Sequence, residues 1–226
     1  MFKNGRTNAQ RIFTKYNPIV PASKIFHVHD INQSNDNLHY LHTITRSETA
    51  VRPHIQAVKF KNPLVLIFAD AQIRVDVLQL AQGCRRRAYL DAGALHKHLL
   101  KEMYPIEEDA CIYAPDAPLI DLSCKTLSFI ACPGIKMPSL DQSESRLSYN
   151  DELLLRKKVE LICQVACQHG HKDLVLGALG CGVWGCPPRH VAEVFKNILQ
   201  KYELRNITFA VLGANYNIFK DVFSKT

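Results

Sequence analysis

The hydrophobic and polar positions of the chain follow two periods in alternation, which predicts strands and helices in succession. Short apolar runs bounded by turn residues predict buried strands at 62–71, 109–115, 125–133, 173–179 and 206–213. The alternating stretch 23–31 predicts a half-buried strand. Apolar residues at helical spacing predict helices at 47–58, 78–105, 150–169, 187–202 and 215–223. Such alternation is typical of an α/β sheet covered on both faces, in which a ligand binds outside the carboxyl ends of strands.

The longest polar stretch, 137–152, is rich in turn residues and predicts a loop before the helix at 150–169. Asn150 or Asp151 is the expected cap at the start of that helix, and Gly170 is its expected end. No repeat or linker divides the chain. We therefore expect a basic N-terminal segment, 1–40, packed on or part of a single domain that spans 41–226.

The net charge and the hydropathy of the chain indicate which kinds of partner to expect. The net charge of +7 favours anionic ligands such as nucleotides and phosphates, and it leaves nucleic acid open. No apolar run approaches the roughly 20 residues of a membrane span, so no membrane partner is expected. Without an apolar secretory region near the N-terminus, a cytoplasmic location is expected. The basic, acid-poor start of the chain leaves targeting to an organelle open.

Eight cysteines are spread through a chain that is too long for a small disulfide scaffold. Several of them lie inside apolar segments, which is typical of buried free thiols. A zinc site can be drawn from four residues of one region, Cys163, Cys167, His169 and His171. No CxxC pair supports it, and the two cysteines fall on one helix face, so neither a metal nor a cofactor is expected.

The densest glycine region of the chain follows the apolar run at 174–176, in the sequence GALGCGVWGCPP at 177–188. Glycines allow positive φ and a close approach of the backbone to a ligand. Pro187 and Pro188 suit the start of a helix, where no amide hydrogen is needed. Unpaired amides beside a helix N-terminus attract phosphate. The residues therefore favour a phosphate-facing loop over a plain turn, although the spacing is neither that of a P-loop nor GxGxxG.

This loop closely resembles the second glycine loop of the bacterial-type poly(ADP-ribose) glycohydrolases, a macrodomain-related family. VLIFADA at 65–71, YPIEEDACIYAPDAPLI at 104–120, LSFIACPGI at 127–135 and NITFAVLGANYNIFKDVF at 206–223 resemble other segments of the family. The short helix in 44–58 is similar to another of them. The resemblance implies a macrodomain-like three-layer α/β fold, in which a mixed central sheet is flanked by helices. It also implies a cleft for ADP-ribose, free or attached to protein.

The resemblance assigns ligand-binding roles residue by residue. The loop that wraps the diphosphate and distal ribose falls on Gly180, Cys181, Gly182, Val183, Trp184 and Gly185. Trp184 stands where the family has Phe, and its ring either packs on a ribose or adenine face or belongs to the core. Phe219 is a candidate to flank the adenine, with the same alternative of core packing. Asp70 stands where the family has Asn or Ser near the distal ribose.

The chain departs from the family where the chemistry is expected. The catalytic Gly-Gly-Gly triplet falls on the Val-Asp-Val of 75–77, and the Gln-Glu-Glu motif falls on three arginines at 85–87. Glycosidic cleavage needs a carboxyl group that exchanges a proton beside the ribose, and an arginine stays protonated. Valine resists positive φ, and Asp76 would repel phosphate unless it turned away. These replacements predict a pseudoenzyme with little or no poly(ADP-ribose) hydrolysis.

Three interpretations of the function remain open at this point. The first is a catalytically inactive protein that still binds ADP-ribose or a related nucleotide, with Arg86 and Arg87 either contacting phosphate or lying on a solvated helix face. The second is a hydrolase of ADP-ribosylated substrates that uses a replacement acid, Asp70 or Asp76. The third is a protein-interaction scaffold that has lost the nucleotide, because a fold does not fix a function.

Overall fold

The computed structural model describes residues 22–27, 41–46, 57, 59–72, 99, 101–118 and 126–224, with the backbone alone at 41–46. Its strands are β1 Lys24–His27, β2 Leu41–Arg46, β3 Pro63–Ala69, β4 Ala110–Pro118, β5 Thr126–Pro133, β6 Asp173–Leu176 and β7 Asn206–Val211. The helices of the described residues are α1 Tyr149–Gln168, α2 Pro188–Leu199 and α3 Asn215–Ser224, with a 3-10 turn at Lys101–Met103.

The strands form one seven-stranded mixed sheet in the order β1-β4-β5-β3-β6-β7-β2. All neighbouring pairs from β5 to β2 are parallel, whereas β4 is antiparallel to both β5 and β1. Because β3, β5, β6 and β7 run in the same direction, their carboxyl ends meet at one edge of the sheet. This edge, called here the carboxyl edge, carries the loops 70–72, 134–139, 177–187 and 212–214.

The strands predicted from apolar runs and the helices predicted at 150–169, 187–202 and 215–223 are confirmed. The edge strand β2 was not predicted, because LHTITR has no continuous apolar run. The predicted helix at 47–58, apart from Ala57, and residues 78–98 and 100 of the one predicted at 78–105 lie outside the described residues. The described end of the second differs from the prediction, because Lys101–Met103 form a 3-10 turn and not the last turn of an α-helix. Residues Lys24–His27, within the basic 1–40 segment, pair with β4 and so belong to the sheet.

The cap of α1 differs from the prediction. Ser148, not Asn150 or Asp151, precedes the helix, and its hydroxyl accepts the Asp151 amide at 3.4 Å. The Asp151 carboxylate instead accepts the amide of Ser139, at 2.6 Å. The predicted end at Gly170 is confirmed by its φ of 71°. The amides of Gly170 and His171 donate to Cys167 and Ala166 at 3.0 and 2.8 Å, which is the Schellman pattern that closes a helix.

Apolar side chains cover both faces of the sheet. On one face the strands pack against α1, α2 and α3, and on the other against residues that include Ala57, Leu99 and Ile106. Phe209 of β7 lies near the centre of the first layer, with its ring centroid 5.4 Å from those of Phe195 and Phe219. This packing fixes α2 and α3 against the sheet, and with them the ends of two loops of the carboxyl edge.

We expect the domain to lose stability in mild acid. Burial is the largest cause that lowers the pKa of His169, His171 and His190 below the ordinary value of 6.5. As the pH falls below that value, the unfolded chain binds protons before the folded one, so stability is complete above it and declines beneath it. Urea midpoints measured at about pH 7.5 and about pH 5.5 check this. A midpoint that rises on acidification would contradict it, and His171→Gln should flatten the profile.

Candidate ligand site

The glycine loop, defined here as residues 177–187, joins β6 to α2 at the carboxyl edge. Two of its glycines hold the shape of the turn, because Gly180 and Gly185 have φ values of 75° and 82°. The Cys186 amide donates to the Gly180 carbonyl at 3.0 Å, and the Gly185 amide donates to the Gly182 carbonyl at 3.1 Å. A Cβ atom on Gly180 would lie 2.5 Å from the sulfur of Cys186. The conformation of the turn is therefore sufficient reason for glycine at positions 180 and 185.

Gly182 differs from these two glycines. Its φ is not positive, and a Cβ atom placed on it would meet nothing within 4 Å among the described residues. The turn therefore does not require glycine at this position. Adjacent Val183 is 99% exposed, so the tip of the loop projects into solvent. A glycine that the fold does not need is consistent with the close approach of a ligand to the backbone.

Three consecutive amides at this tip have no partner among the residues that the structure describes. Within the described part of the chain, the N–H groups of Gly182, Val183 and Trp184 donate to no acceptor. The helix that follows, α2, starts at Pro187 and Pro188 without a side-chain cap and has no acidic residue in its first turn. Adjacent unpaired amides and an uncapped helix start both favour a bound anion. The local electrostatics therefore suit a phosphate or diphosphate group.

Trp184 is half-buried, and its indole covers the loop that follows β5. A Cβ atom on Gly134 would lie 2.8 Å from a carbon of that ring, so only glycine allows the contact. The Met137 amide donates to the Trp184 carbonyl at 3.0 Å, and the Cys186 thiol donates to the Ile135 carbonyl at 3.4 Å. These contacts hold 134–137 beside the glycine loop. One face of Trp184 thus supports the loop, which agrees with core packing.

The side chain of Asn215 joins a third loop to the site. Its Nδ2 donates to the Cys181 carbonyl at 3.0 Å, which ties the start of α3 to the glycine loop. Sequence reasoning missed Asn215 and Gly134. The signals available were an Asn at the start of a helix after a strand, and a Gly directly after the strand at 126–133. Both residues position the glycine loop rather than extend it.

The two cysteines of the glycine loop have structural roles here. The Cys181 thiol donates to the Leu179 carbonyl at 3.6 Å, and Cys181 and Cys186 are 8% and 2% exposed. Burial, with a smaller contribution from the neighbouring Cys186, raises the pKa of the Cys181 thiol. Burial likewise raises the pKa of Cys186 to about 11. Both side chains are therefore neutral thiols near neutral pH, and neither supplies a nucleophile.

Asp70, the first residue after β3, lies at the same edge. Since Ala69 pairs with Pro133, Asp70 and Gly134 leave the sheet side by side. The Asp70 Oδ1 atom accepts the Gln72 amide at 2.9 Å, which fixes the carboxylate in a local turn. Asp76, the valine-flanked segment 75–77 and the arginines at 85–87 lie outside the described residues.

The structure places Phe219 in the core. The side chain is fully buried in α3, and its ring packs on Phe209. This burial corresponds to the core-packing alternative for Phe219. An apolar residue on the inner face of a helix gives the same sequence pattern as one that lines a cleft.

Metal-ligand spacing occurs once among the described residues. Ligand atoms of His27, Glu107 and Asp109 lie within 4.8 Å of one another near the β1 end of the carboxyl edge. The set Cys163, Cys167, His169 and His171 forms no such group; His171 instead contacts Tyr113 Oη through Nε2, at 2.9 Å. None of the described helices is long and apolar enough to cross a bilayer.

We expect Gly180→Ala to destabilise the domain by roughly 2–4 kcal/mol, because it combines a positive φ with a clash against Cys186. Gly182→Ala is the matched control within the same loop, and its expected change is below about 0.5 kcal/mol. Chemical denaturation of both variants measures the difference. Equal stabilities for the two would contradict the distinction between shape-holding and open glycines.

The fold is that of bacterial poly(ADP-ribose) glycohydrolases. The enzyme of Thermomonospora curvata bound to the inhibitor ADP-HPD matches with a TM-score of 0.72 and 18% identity, over 88% of this chain and 84% of that one. The enzyme of Deinococcus radiodurans in complex with ADP-ribose matches with a TM-score of 0.72 and 19% identity, over 97% of this chain and 98% of that one. Neither a protein-family profile nor a curated protein matches the chain by sequence. The macrodomain-like α/β fold expected from the family resemblance is confirmed.

Proposed function

We propose that this protein recognises ADP-ribose, free or attached to protein, and binds its diphosphate on the glycine loop. The observation that carries the proposal is the run of amides at Gly182, Val183 and Trp184, which have no acceptor among the described residues. The net charge of +7 favours the same anionic class of ligand. The Deinococcus enzyme of the same fold was crystallised with ADP-ribose.

We further propose membership of the bacterial-type glycohydrolase family with a degraded catalytic centre. The support is in the sequence: Val-Asp-Val at 75–77 and three arginines at 85–87 replace the glycine triplet and the acids of the family motif. A site that keeps its anion-binding loop and lacks a proton-exchanging carboxyl binds without cleaving. A cytoplasmic reader of ADP-ribosylation is the corresponding role.

A hydrolase with a replacement acid is the second candidate. One observation favours it, namely the position of Asp70 at the carboxyl edge beside Gly134. Its carboxylate is held by the Gln72 amide and so has a fixed position from which to orient a water. The hydrolase would use the same binding site as the proposed ADP-ribose reader. The two functions differ only in whether the bound substrate is hydrolysed.

Calorimetry on the folded protein tests the binding. We expect ADP-ribose and ADP to bind and adenosine not to bind, because the loop amides recognise the diphosphate. Absence of heat with millimolar ADP-ribose would overturn the proposal and favour the scaffold interpretation. Equal affinity for adenosine and ADP would instead contradict a diphosphate-directed loop.

A further inference from the structure

His190 lies in the first turn of α2, directly after the glycine loop, and is 1% exposed. Its Nδ1 atom accepts the amide of Leu147 at 2.9 Å. Its Nε2 atom lies 3.0 Å from Oε2 of Glu152, near the start of α1. The imidazole of this α2 residue therefore contacts two other elements, namely α1 and the segment that precedes α1.

That segment, 137–148, is called here the hairpin segment. An isolated bridge pairs Leu140 with Leu147, and the Ser148 amide donates to the Ser139 carbonyl at 2.8 Å. The Asp141 amide donates to the Arg146 carbonyl at 2.9 Å, and the Asp141 carboxylate accepts the Arg146 amide in return. These bonds tie the two ends of the segment to each other.

The hairpin segment contacts the glycine loop at its own first residue. Met137 has a φ of 51° and donates its amide to the Trp184 carbonyl at 3.0 Å. A non-glycine residue with positive φ persists only where its surroundings hold it. His190 holds the other end of the segment, so hydrogen bonds form a circuit from the glycine loop through the hairpin segment to α2.

We propose that neutral His190 is a positioning residue for the glycine loop, and that its protonation releases the hairpin segment and weakens the ligand site. The statement about the ligand rests on the proposed function, whereas the statement about the loop does not. The physical reason is the direction of one hydrogen bond. Because Leu147 donates its amide to Nδ1, the neutral ring carries its hydrogen on Nε2.

A second proton would have to be added at Nδ1, where it would face the Leu147 amide hydrogen. Two donors at 2.9 Å repel each other, so the charged ring keeps its contact with Glu152 and loses the hairpin segment. The Glu152 carboxylate is already oriented toward the charged ring. Arg156 donates to its Oε1 at 2.6 and 2.8 Å, and its Oε2 faces His190. The charged ring thus keeps one of its two contacts, the one with Glu152.

The charged groups that face His190 come from all three elements. Burial is the largest cause that lowers its pKa below 6.5, and Arg146 of the hairpin segment lowers it further, whereas Glu152 and Glu193 raise it. Partial burial raises the pKa of Glu152. The neighbouring Arg156, His190 and Arg146 outweigh it and hold that pKa below its ordinary value. Glu152 therefore stays a carboxylate while His190 titrates. The release is expected between pH 6.5 and the acid unfolding of the domain.

Trp184 provides the test, because it is the single tryptophan of the chain and its carbonyl is the contact of the hairpin segment. We expect its emission to shift reversibly to longer wavelength as the pH falls from about 7.5, before far-UV circular dichroism changes. His190→Gln supplies an amide oxygen for Leu147 and does not titrate, so the shift should vanish. His171→Gln, at the opposite edge of the sheet, is the matched control and should retain it.

Glu152→Gln keeps the proposal testable if His190→Gln does not fold. Loss of the facing carboxylate should move the midpoint of the fluorescence shift to lower pH. Emission that stays constant down to acid unfolding would overturn the proposal. A shift that persists unchanged in His190→Gln would overturn it as well.

Ligand affinity gives a second readout. We expect ADP-ribose affinity of the unmodified chain to fall roughly tenfold over the fluorescence transition and to stay constant in His190→Gln. If ADP-ribose does not bind at about pH 7.5, the proposed function is wrong. The role of His190 is still tested in that case, by the fluorescence measurement. Binding that weakens equally in both proteins would contradict the role of His190 in the ligand site.

Discussion

Gly182→Val is expected to lower the affinity for ADP-ribose by at least roughly a hundredfold while the domain keeps its stability. The position has no positive φ, and a Cβ atom there meets nothing within 4 Å among the described residues, so the fold tolerates the side chain. A bound diphosphate would occupy the space that the valine fills. Hydrogen bonds to a charged group contribute about 1.5–3 kcal/mol each, and the loss of two accounts for a change of this size.

Calorimetry with ADP-ribose and chemical denaturation measure the two quantities on the same protein. Gly182→Ala should fall between the unmodified chain and Gly182→Val in affinity. Gly170→Val is the matched control, because Gly170 has a φ of 71° at the end of α1, far from the carboxyl edge along the helix. It should cost stability and leave affinity unchanged. Full affinity in Gly182→Val would show that the loop tip does not contact the ligand.

We expect this protein not to hydrolyse poly(ADP-ribose), or to do so at a rate at least about a hundredfold below that of an enzyme with a catalytic carboxyl group. General acid–base catalysis by a positioned side chain contributes about 10²–10⁴ in rate. The proposed resemblance aligns the acids of the family motif with the arginines at 85–87. An arginine does not exchange its proton at a workable pH. Release of ADP-ribose from polymer at low protein concentration is the measurement.

Asp70→Asn separates the two enzymatic outcomes. If slow turnover is present and depends on a replacement acid, the variant should abolish it while binding of ADP-ribose persists, since the amide keeps the acceptor for Gln72. If turnover is rapid in the unmodified chain, the interpretation as a pseudoenzyme is wrong. Turnover that is slow and unaffected by Asp70→Asn would leave Asp76 as the remaining candidate acid of the sequence.

The spacing of apolar residues was sufficient to predict the helices and strands that are buried on one side or completely. PLVLIFA of β3 is buried along nearly its whole length, α1 is buried on all sides over 161–166, and α2 buries one face, so their apolar positions form continuous runs or repeat at helix spacing. Among the described strands, β2 lies at the end of the sheet and pairs with β7. Its sequence LHTITR mixes polar and apolar residues, and the pattern is too short and weak to predict a strand.

Side-chain chemistry was harder to predict than the elements. The choice of Ser148 over Asp151 as the cap depends on Ser139, which takes the Asp151 carboxylate from twelve residues away. The glycines of the loop look equivalent in sequence, yet Gly180 and Gly185 hold the turn and Gly182 does not. His190 and Leu147 are 43 residues apart, so the bond between them depends on how α2 packs beside the hairpin segment.

Amide-resolved NMR tests whether the amides at the tip of the glycine loop bind the diphosphate of ADP-ribose. On titration with ADP-ribose, we expect the largest shifts at the N–H groups of Gly182, Val183 and Trp184, with little change at His171 on the opposite edge of the sheet. Binding that leaves these three amides unshifted, or shifts concentrated away from the carboxyl edge, would contradict this expectation.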